Sequence, residues 1–542
     1  MSHRASQPFL TRRRLLSLMG KAGGSVAVWH SAQAMGLLAD PDPNSHARRM
    51  LSPLVGGAAT RPTVAILGAG IGGLSAAFEL EKAGYDVTIL EASHRIGGRN
   101  FTVRSGTVID EIGNRQVCEF DDDPSLYFNA GPARIPAVHH RIMNYCREFK
   151  VELEPFINLN YNAWVVDEAI NQGARVRQRD VIADARGFIA ELAAKGVSAA
   201  SLDSPVCDLD LEKLSEYLSV YGDLDPELQR YLGSARAGFH NDGMLDPVTL
   251  KSPGSSKGIV DSQFAKMGML FTQEEHQAPA MLQARGGMDR IVDAFVGQIQ
   301  TRPIVRARVV EIQNHSDRVS IYYEQNDKIH TLEADYCLNS IPGHLMAGIK
   351  HNLSAGYTKL LNEVKRGMLS KVGFQMSRRF WEDEGIYGGI SWTDSPTLQV
   401  WYPSHGIQQS KGVMLGAYIF SPEDNAAFGR LSHKERLEEA TLAGEALHPD
   451  NYRRHVEAGV SVVWHRMNHM LGCGGGVGEP WAPFESGPDK IRAELVQGDG
   501  RHFMIGDQIS KHPGWQEGAL AVTERVLQIL HSRESSRRGS AS

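Results

Sequence analysis

The spacing of apolar and polar positions changes abruptly at Thr63. Residues 35–61 hold Pro, Ser, Gly and Arg without a sustained period and read as a linker. Val64–Leu67 is then an unbroken apolar run, the pattern of a strand buried on both faces. Gly68-Ala69-Gly70-Ile71-Gly72-Gly73 follows, Leu74–Ala83 carries helical spacing, Gly84 ends it, and Asp86–Glu91 reads as a second strand. Farther along, His139–Phe149 and Leu209–Tyr217 are spaced as helices, with a turn at Ser252–Ser255. A new unit opens at Arg285-Gly286-Gly287-Met288-Asp289-Arg290, with a helix through Ile299 and strands expected at Ile304–Gln313, Val319–Tyr323 and Thr331–Asn339. Residues 371–420 look β-rich and 432–447 helical. His502–Gly506 is a last strand, before a loop and a helix from Gly518 to His531. The Ser/Arg-rich residues 533–542 are expected to be a disordered tail.

The turn between the first strand and helix carries the first chemistry. Gly68-x-Gly70-x-x-Gly73 alone is a weak signal. An apolar strand before it, a helix after it and an acid closing the next strand make it a dinucleotide cradle. Gly68 makes the tight turn, Gly70 admits the pyrophosphate to the backbone, and Gly73 lets the helix pack on its strand. The anion is expected at the helix N-terminus, where unpaired N–H groups and the dipole favour it. Glu91, about 20 residues on, is placed to accept from ribose hydroxyls.

Composition narrows the class. The chain has 542 residues, enough for about two to four domain-sized units, and 42% of them are hydrophobic and 22% charged. A net charge of −6 without a concentrated basic face gives no reason to expect nucleic acid. Cys118, Cys146, Cys207, Cys337 and Cys473 lack metal-ligand spacing, and an odd number cannot all pair within one chain. No metal site is expected. No apolar run approaches the roughly 18 residues of a membrane span, so no membrane anchor is expected. Thr11-Arg12-Arg13-Arg14-Leu15-Leu16-Ser17, a modest apolar stretch and Ala32-Gln33-Ala34 resemble a twin-arginine export signal over residues 1–34. The expected destination is the periplasm or the exterior. That route suits a protein that folds around its cofactor first.

Glu91-Ala92-Ser93-His94-Arg95-Ile96-Gly97-Gly98-Arg99 matches the sequel typical of flavin amine oxidases, in which Gly98 nears the diphosphate and Arg99 adds a charged contact. From Thr63 to His531 the chain resembles that family, and within it the bacterial L-amino-acid oxidases. Five further blocks carry the likeness. They are Gly131–Pro136, Gly286–Arg290 with Val305–Val309, Ser370–Phe374 ahead of Arg379-Phe380-Trp381, Trp401–His405, and Gly506-Asp507-Gln508 through Gly514–Ala519. The likeness implies non-covalent FAD, with Val309 beside its adenosine half and Asp507, Gln516 and Ala519 at the flavin end. Where Asp507 stands the family often has Glu. It implies Arg134 and Tyr402 on a substrate carboxylate, Trp515 beside flavin and substrate, and Lys371 holding a water at flavin N5. His465–His469 and Gly472–Gly476 depart from the family pattern, and residues 160–284 match nothing recognisable.

The expected fold is an α/β Rossmann-type FAD-binding domain with a second α+β substrate-binding domain. The first is discontinuous, over 62–136, 285–340 and 495–532, and the second covers 137–284 and 341–494. The implied reaction is oxidative deamination of an L-amino acid, with oxygen as acceptor, to a 2-oxo acid, ammonium and hydrogen peroxide. An amide-forming amino-acid 2-monooxygenase, a monoamine or polyamine oxidase and a non-catalytic exported flavoprotein remain open. Homo-oligomerisation stays open too.

Overall fold

The computed structural model describes residues 51–52, 54, 61–198, 211–241, 244–478 and 487–541. The expected export signal and most of the linker lie outside the described residues.

Val64, Ala65, Ile66 and Leu67 are all buried, and their strand, Thr63–Leu67, stands inside a four-stranded parallel sheet. Asp86–Leu90 flanks it on one side, with Tyr336–Asn339 and then His502–Met504 on the other. Parallel neighbours need crossover connections, so paired residues 272 apart in sequence (Val64 and Tyr336) and 165 apart (Cys337 and His502) meet here through the elements between them. Helix Ile71–Ala83 buries almost its whole length against this sheet and against helices Arg290–Gln298 and Gln516–Ala541.

The second layer is a mixed seven-stranded sheet, in spatial order 176–177, 164–166, 390–393, 399–401, 412–419, 370–376 and 456–463. Strand Ser370–Met376 lies between two antiparallel partners and is buried at every position. Smaller sheets join the layers, among them the three strands 135–136, 281–284 and 153–156, which carry the segment after Arg134.

The structure corrects three readings of the chain. The single strand expected over Thr331–Asn339 is two strands in different sheets, Lys328–Ala334 and Tyr336–Asn339. Asp335 makes the break: its carboxylate accepts from the Thr63 backbone N–H (2.8 Å) and hydroxyl (2.9 Å), which turns the chain from one sheet into the other. The strand expected from Ile304 begins at Arg308, because Arg306 takes a left-handed φ of 56°. The tail expected to be disordered continues helix Gln516–Ala541. Fully buried Glu534 holds it, accepting from Tyr336 Oη at 3.0 Å, Arg537 Nε at 2.9 Å and Arg538 Nε at 2.7 Å. A Ser/Arg-rich composition conceals these (i, i+3) and (i, i+4) pairs.

One buried ion pair fastens the hairpin 108–117 to the second layer. Arg436 Nη1 donates to Glu111 Oε2 at 2.7 Å, with both side chains 1% exposed or less. Glu111 Oε1 accepts from Val463 N–H at 2.7 Å. Glu111→Gln keeps the size and an acceptor but leaves the guanidinium unpaired, so we expect a loss of about 3–5 kcal/mol of stability. Denaturant unfolding of the variant measures it, and a loss below about 1 kcal/mol would fit a pair of the exposed kind instead.

Candidate active site

The carboxyl ends of the parallel strands open onto a cavity of about 940 Å³, toward the upper end of the roughly 300–1,000 Å³ usual for cofactor sites. Its wall comes from both layers, as crevices at strand ends in such sheets do. Gly68 donates its N–H to Leu90 O at 2.7 Å and so closes the first turn beneath the cavity. Gly73 is required by contact: a Cβ there would stand 2.0 Å from the Gly68 carbonyl oxygen. Gly70 and Gly98 line the cavity face to face.

The residues present fit a dinucleotide. Helix Ile71–Ala83 begins at Gly70 with no side-chain cap, and a Cβ on Gly70 would meet no atom within 4 Å. That leaves the helix N-terminus open to an anion. Glu91 lies at the cavity wall and accepts from Ala69 N–H and Ser93 N–H, both at 2.8 Å. Burial pushes its carboxyl up from the usual range, and the two backbone donors oppose that. Val309 lines the wall near Glu91. At the far end, Gln516 starts the last helix with its amide Nε2 buried and unpartnered, and Ala519 follows it along the wall.

Arg99 and Asp507 line the cavity but are engaged with each other. Arg99 Nη1 donates to Asp507 Oδ2 at 2.8 Å, Nη2 donates to Oδ1, and Oδ2 also accepts from Gly514 N–H at 2.7 Å. Their charges balance each other, and both residues remain on the cavity wall.

Lys371 and Arg134 meet in the part of the cavity between the layers. Lys371 Nζ donates to Gly131 O at 2.6 Å and Asn129 O at 3.3 Å, and stands 4.6 Å from the Tyr418 ring centre. Burial first, and the Arg134 charge second, lower its pKa to about 7. Arg134 is 7% exposed, donates to Gln277 Oε1 at 2.7 Å, and has no ion pair among the described residues. Aromatic rings surround it, with centres 4.4 Å away for Trp401, 5.7 Å for Trp515 and 5.8 Å for Phe271. Burial pushes its pKa down to about 10, which leaves it charged at neutral pH.

Tyr402 is a correction. It is 1% exposed, outside the cavity wall, and bonded to Ser391 Oγ at 2.7 Å and His448 Nε2 at 2.6 Å. Side chains alternate along extended chain. Trp401 faces Arg134, so its neighbour faces the opposite core. The tyrosine at the cavity is Tyr418, paired directly across from Lys371 in the adjoining strand. Alternation in Tyr418-Ile419-Phe420, with both aromatics lining the cavity, was the available signal. Also unforeseen were Gln277 and Phe271, the two residues of 160–284 at the wall. The departing stretches supply His469 and Gly472 to Gly476, including Cys473, whose thiol burial pushes up.

A parallel sheet with a glycine-rich strand–helix turn, joined to a mixed sheet over a shared cavity, defines a dinucleotide-dependent enzyme of two layers. The sequence profile of the flavin containing amine oxidoreductase family matches residues 71–525, and the chain belongs to that family. Membership implies a flavin cofactor. Flavin-dependent L-tryptophan oxidase RebO of Lentzea aerocolonigenes is 27% identical over 499 residues, covering 86% of this chain and 98% of that one. An L-amino-acid oxidase of Gloydius blomhoffii is 28% identical over 371 residues, 67% of this chain and 68% of that one. Among solved structures, cyclohexylamine oxidase from Brevibacterium oxydans IH-35A superposes with a TM-score of 0.57 at 15% identity, covering 88% of this chain and 100% of that one.

The depressed Lys371 pKa has a measurable consequence. An unfolded lysine keeps its proton to about pH 10.4, whereas the folded one releases it near 7. Between these values the unfolded chain binds the extra proton, so this group makes stability rise with pH. Lys371→Met abolishes that contribution. The variant's gain in Tm over the native protein should be largest at pH 7 or below and shrink by pH 9; a gain independent of pH would show an ordinary lysine.

Proposed function

We propose that this protein oxidises L-α-amino acids with non-covalent FAD, consuming water and oxygen and giving the 2-oxo acid, ammonium and hydrogen peroxide. Arg134 carries the reading: a buried guanidinium without an acidic partner, inside aromatic walls of the cofactor cavity and beside Lys371. Leaving a buried charge unpaired is costly, and a substrate carboxylate is the anion that would offset it. Its two oxygens match parallel guanidinium N–H donors. The names of the amino-acid-oxidising relatives support the same substrate class. The amine-oxidase neighbour supports the fold only.

FAD, when bound, supplies the acceptor for the hydride lost from Cα and, with oxygen, the route to peroxide. Gly68, Gly70 and Gly98 would let it approach the backbone, Glu91 would hold its ribose, and Gln516 would turn its unpaired amide toward it. Trp515, Phe271 and Tyr418 would exclude water and orient the substrate. Lys371, held by two carbonyls and titrating near neutrality, would bind a water and exchange a proton with it. A substrate that enters with a neutral amine needs no histidine base.

The neutral Cys473 thiol is a poor nucleophile, which supports a non-covalent cofactor. Acid precipitation should leave all the flavin in the supernatant; a yellow pellet would establish a covalent link.

Arg134→Leu should cost about 2–5 kcal/mol in kcat/KM for a good amino acid, the usual loss when one member of a buried charged pair is left alone. FAD content should be unchanged, and Arg134→Lys should recover only part of the loss. The decarboxylated amine should be a poor native substrate and nearly indifferent to the change. If the native enzyme prefers the amine, or both substrates fall equally, the protein is an amine oxidase.

A further inference from the structure

The group on Arg134 in the substrate-free site is a neutral amide, and much of the surrounding structure holds it there. Gln277 is 7% exposed, and its Oε1 accepts from Arg134 Nη2 at 2.7 Å, while Arg134 Nε is buried without a partner. The Gln277 backbone is fixed on both sides. Its N–H donates to Glu274 O at 2.8 Å, and its carbonyl accepts from Asn158 Nδ2 at 3.2 Å. Its neighbour His276 sits between two further imidazoles, with Nδ1 3.1 Å from His139 Nε2 and its ring centre 4.1 Å from that of His512. His139 in turn packs edge-on against Trp515 at 4.9 Å. The amide is therefore held in register with the same C-terminal segment that brings Trp515 to the cavity.

We infer that Gln277 is a specificity-determining residue, a resident neutral partner that holds Arg134 in place without neutralising it and gives way to a substrate carboxylate. This rests on the proposed binding of a carboxylate by Arg134. The physical case is a difference between two acceptors. An amide oxygen satisfies one guanidinium donor and so lowers the cost of an empty site. It brings no charge, so an arriving carboxylate still gains the full ion pair and finds the unpartnered Nε free for a second bond. A carboxylate at position 277 would form that ion pair internally and compete with every amino acid. A side chain with no acceptor would leave the guanidinium less well held, but would not compete. The chemistry of residue 277 therefore sets the affinity for the carboxylate end of the substrate, separately from the side-chain pocket.

The test compares native holoenzyme with Gln277→Glu and Gln277→Met, both close to glutamine in size. KM for a good amino acid, and Kd for benzoate read from the flavin spectrum, should rise by about tenfold or more in Gln277→Glu, the scale of one lost charged contact. In Gln277→Met both should rise by clearly less. In either variant kcat should change far less than KM, and the decarboxylated amine should lose no comparable kcat/KM. Equal effects of Glu and Met would make Gln277 a space-filler and overturn the inference, as would an unchanged KM and Kd in Gln277→Glu. If Gln277→Glu fails to load FAD, a benzoate Kd for Gln277→Met raised tenfold or more overturns it as well, and a smaller rise supports it. Should the native enzyme itself prefer the amine and fail to bind benzoate, the carboxylate reading fails first, a result distinct from any of these.

Discussion

The two-point bond between Arg99 and Asp507 joins residues 408 apart in sequence and closes the cofactor cavity. Arg99 ends the loop that follows the second parallel strand, and Asp507 follows the last one. One Asp507 oxygen also takes the Gly514 N–H, and this sets the path of the loop into Trp515 and the final helix. The N-terminal glycine turn, the flavin-end helix N-terminus and the aromatic wall are thus placed by one paired charge. Arg99 and Asp507 are charge-balanced within the protein, so the cavity's net field comes from the other groups in it.

In the part of the cavity between the layers stand Arg134 and Lys371, two bases buried near each other with no acid of their own among the described residues. Desolvation disfavours both charges, and each disfavours the other. The aromatic rings around Arg134 offset part of this through their negative faces. What remains favours an anion. The proposed carboxylate-bearing substrate would meet that preference, and the same polarity would repel a second cation.

Much of this was legible in the sequence. The strand–glycine turn–helix with its acid at Glu91 fixed one end of the cavity, because each residue there has a local reason to be where it is. Lys371 and Arg134 were found through motif likeness, and the structure brings both to the wall. Roles that depend on which way a side chain faces were harder. Tyr402 and Tyr418 are both tyrosines in β-rich sequence, and only strand register separates the one beside Lys371 from the one beside His448. The bond between Arg99 and Asp507 went unread, since a pairing across 408 residues leaves no local trace. Asp335 ended one strand and began another through a bond to Thr63, which periodicity cannot register. Residues 160–284 stayed unread for a related reason. They contribute to the wall through isolated positions, Phe271 and Gln277, and not through a motif.

The two bases also differ in how they can respond to burial. A guanidinium keeps its proton across the physiological range even when desolvation lowers its pKa to about 10. An amine does not, and Lys371 yields near pH 7, through its own burial first and the Arg134 charge second. One positive charge is therefore permanent and the other conditional. Under the proposed function, a carboxylate on Arg134 would offset the second of these causes, and the lysine would take its proton back more readily. The lysine's two carbonyl partners, Gly131 and Asn129, favour that charged form once the neighbouring charge is gone. In that reading, occupancy at Arg134 and protonation of the amine are linked through the space between two strands.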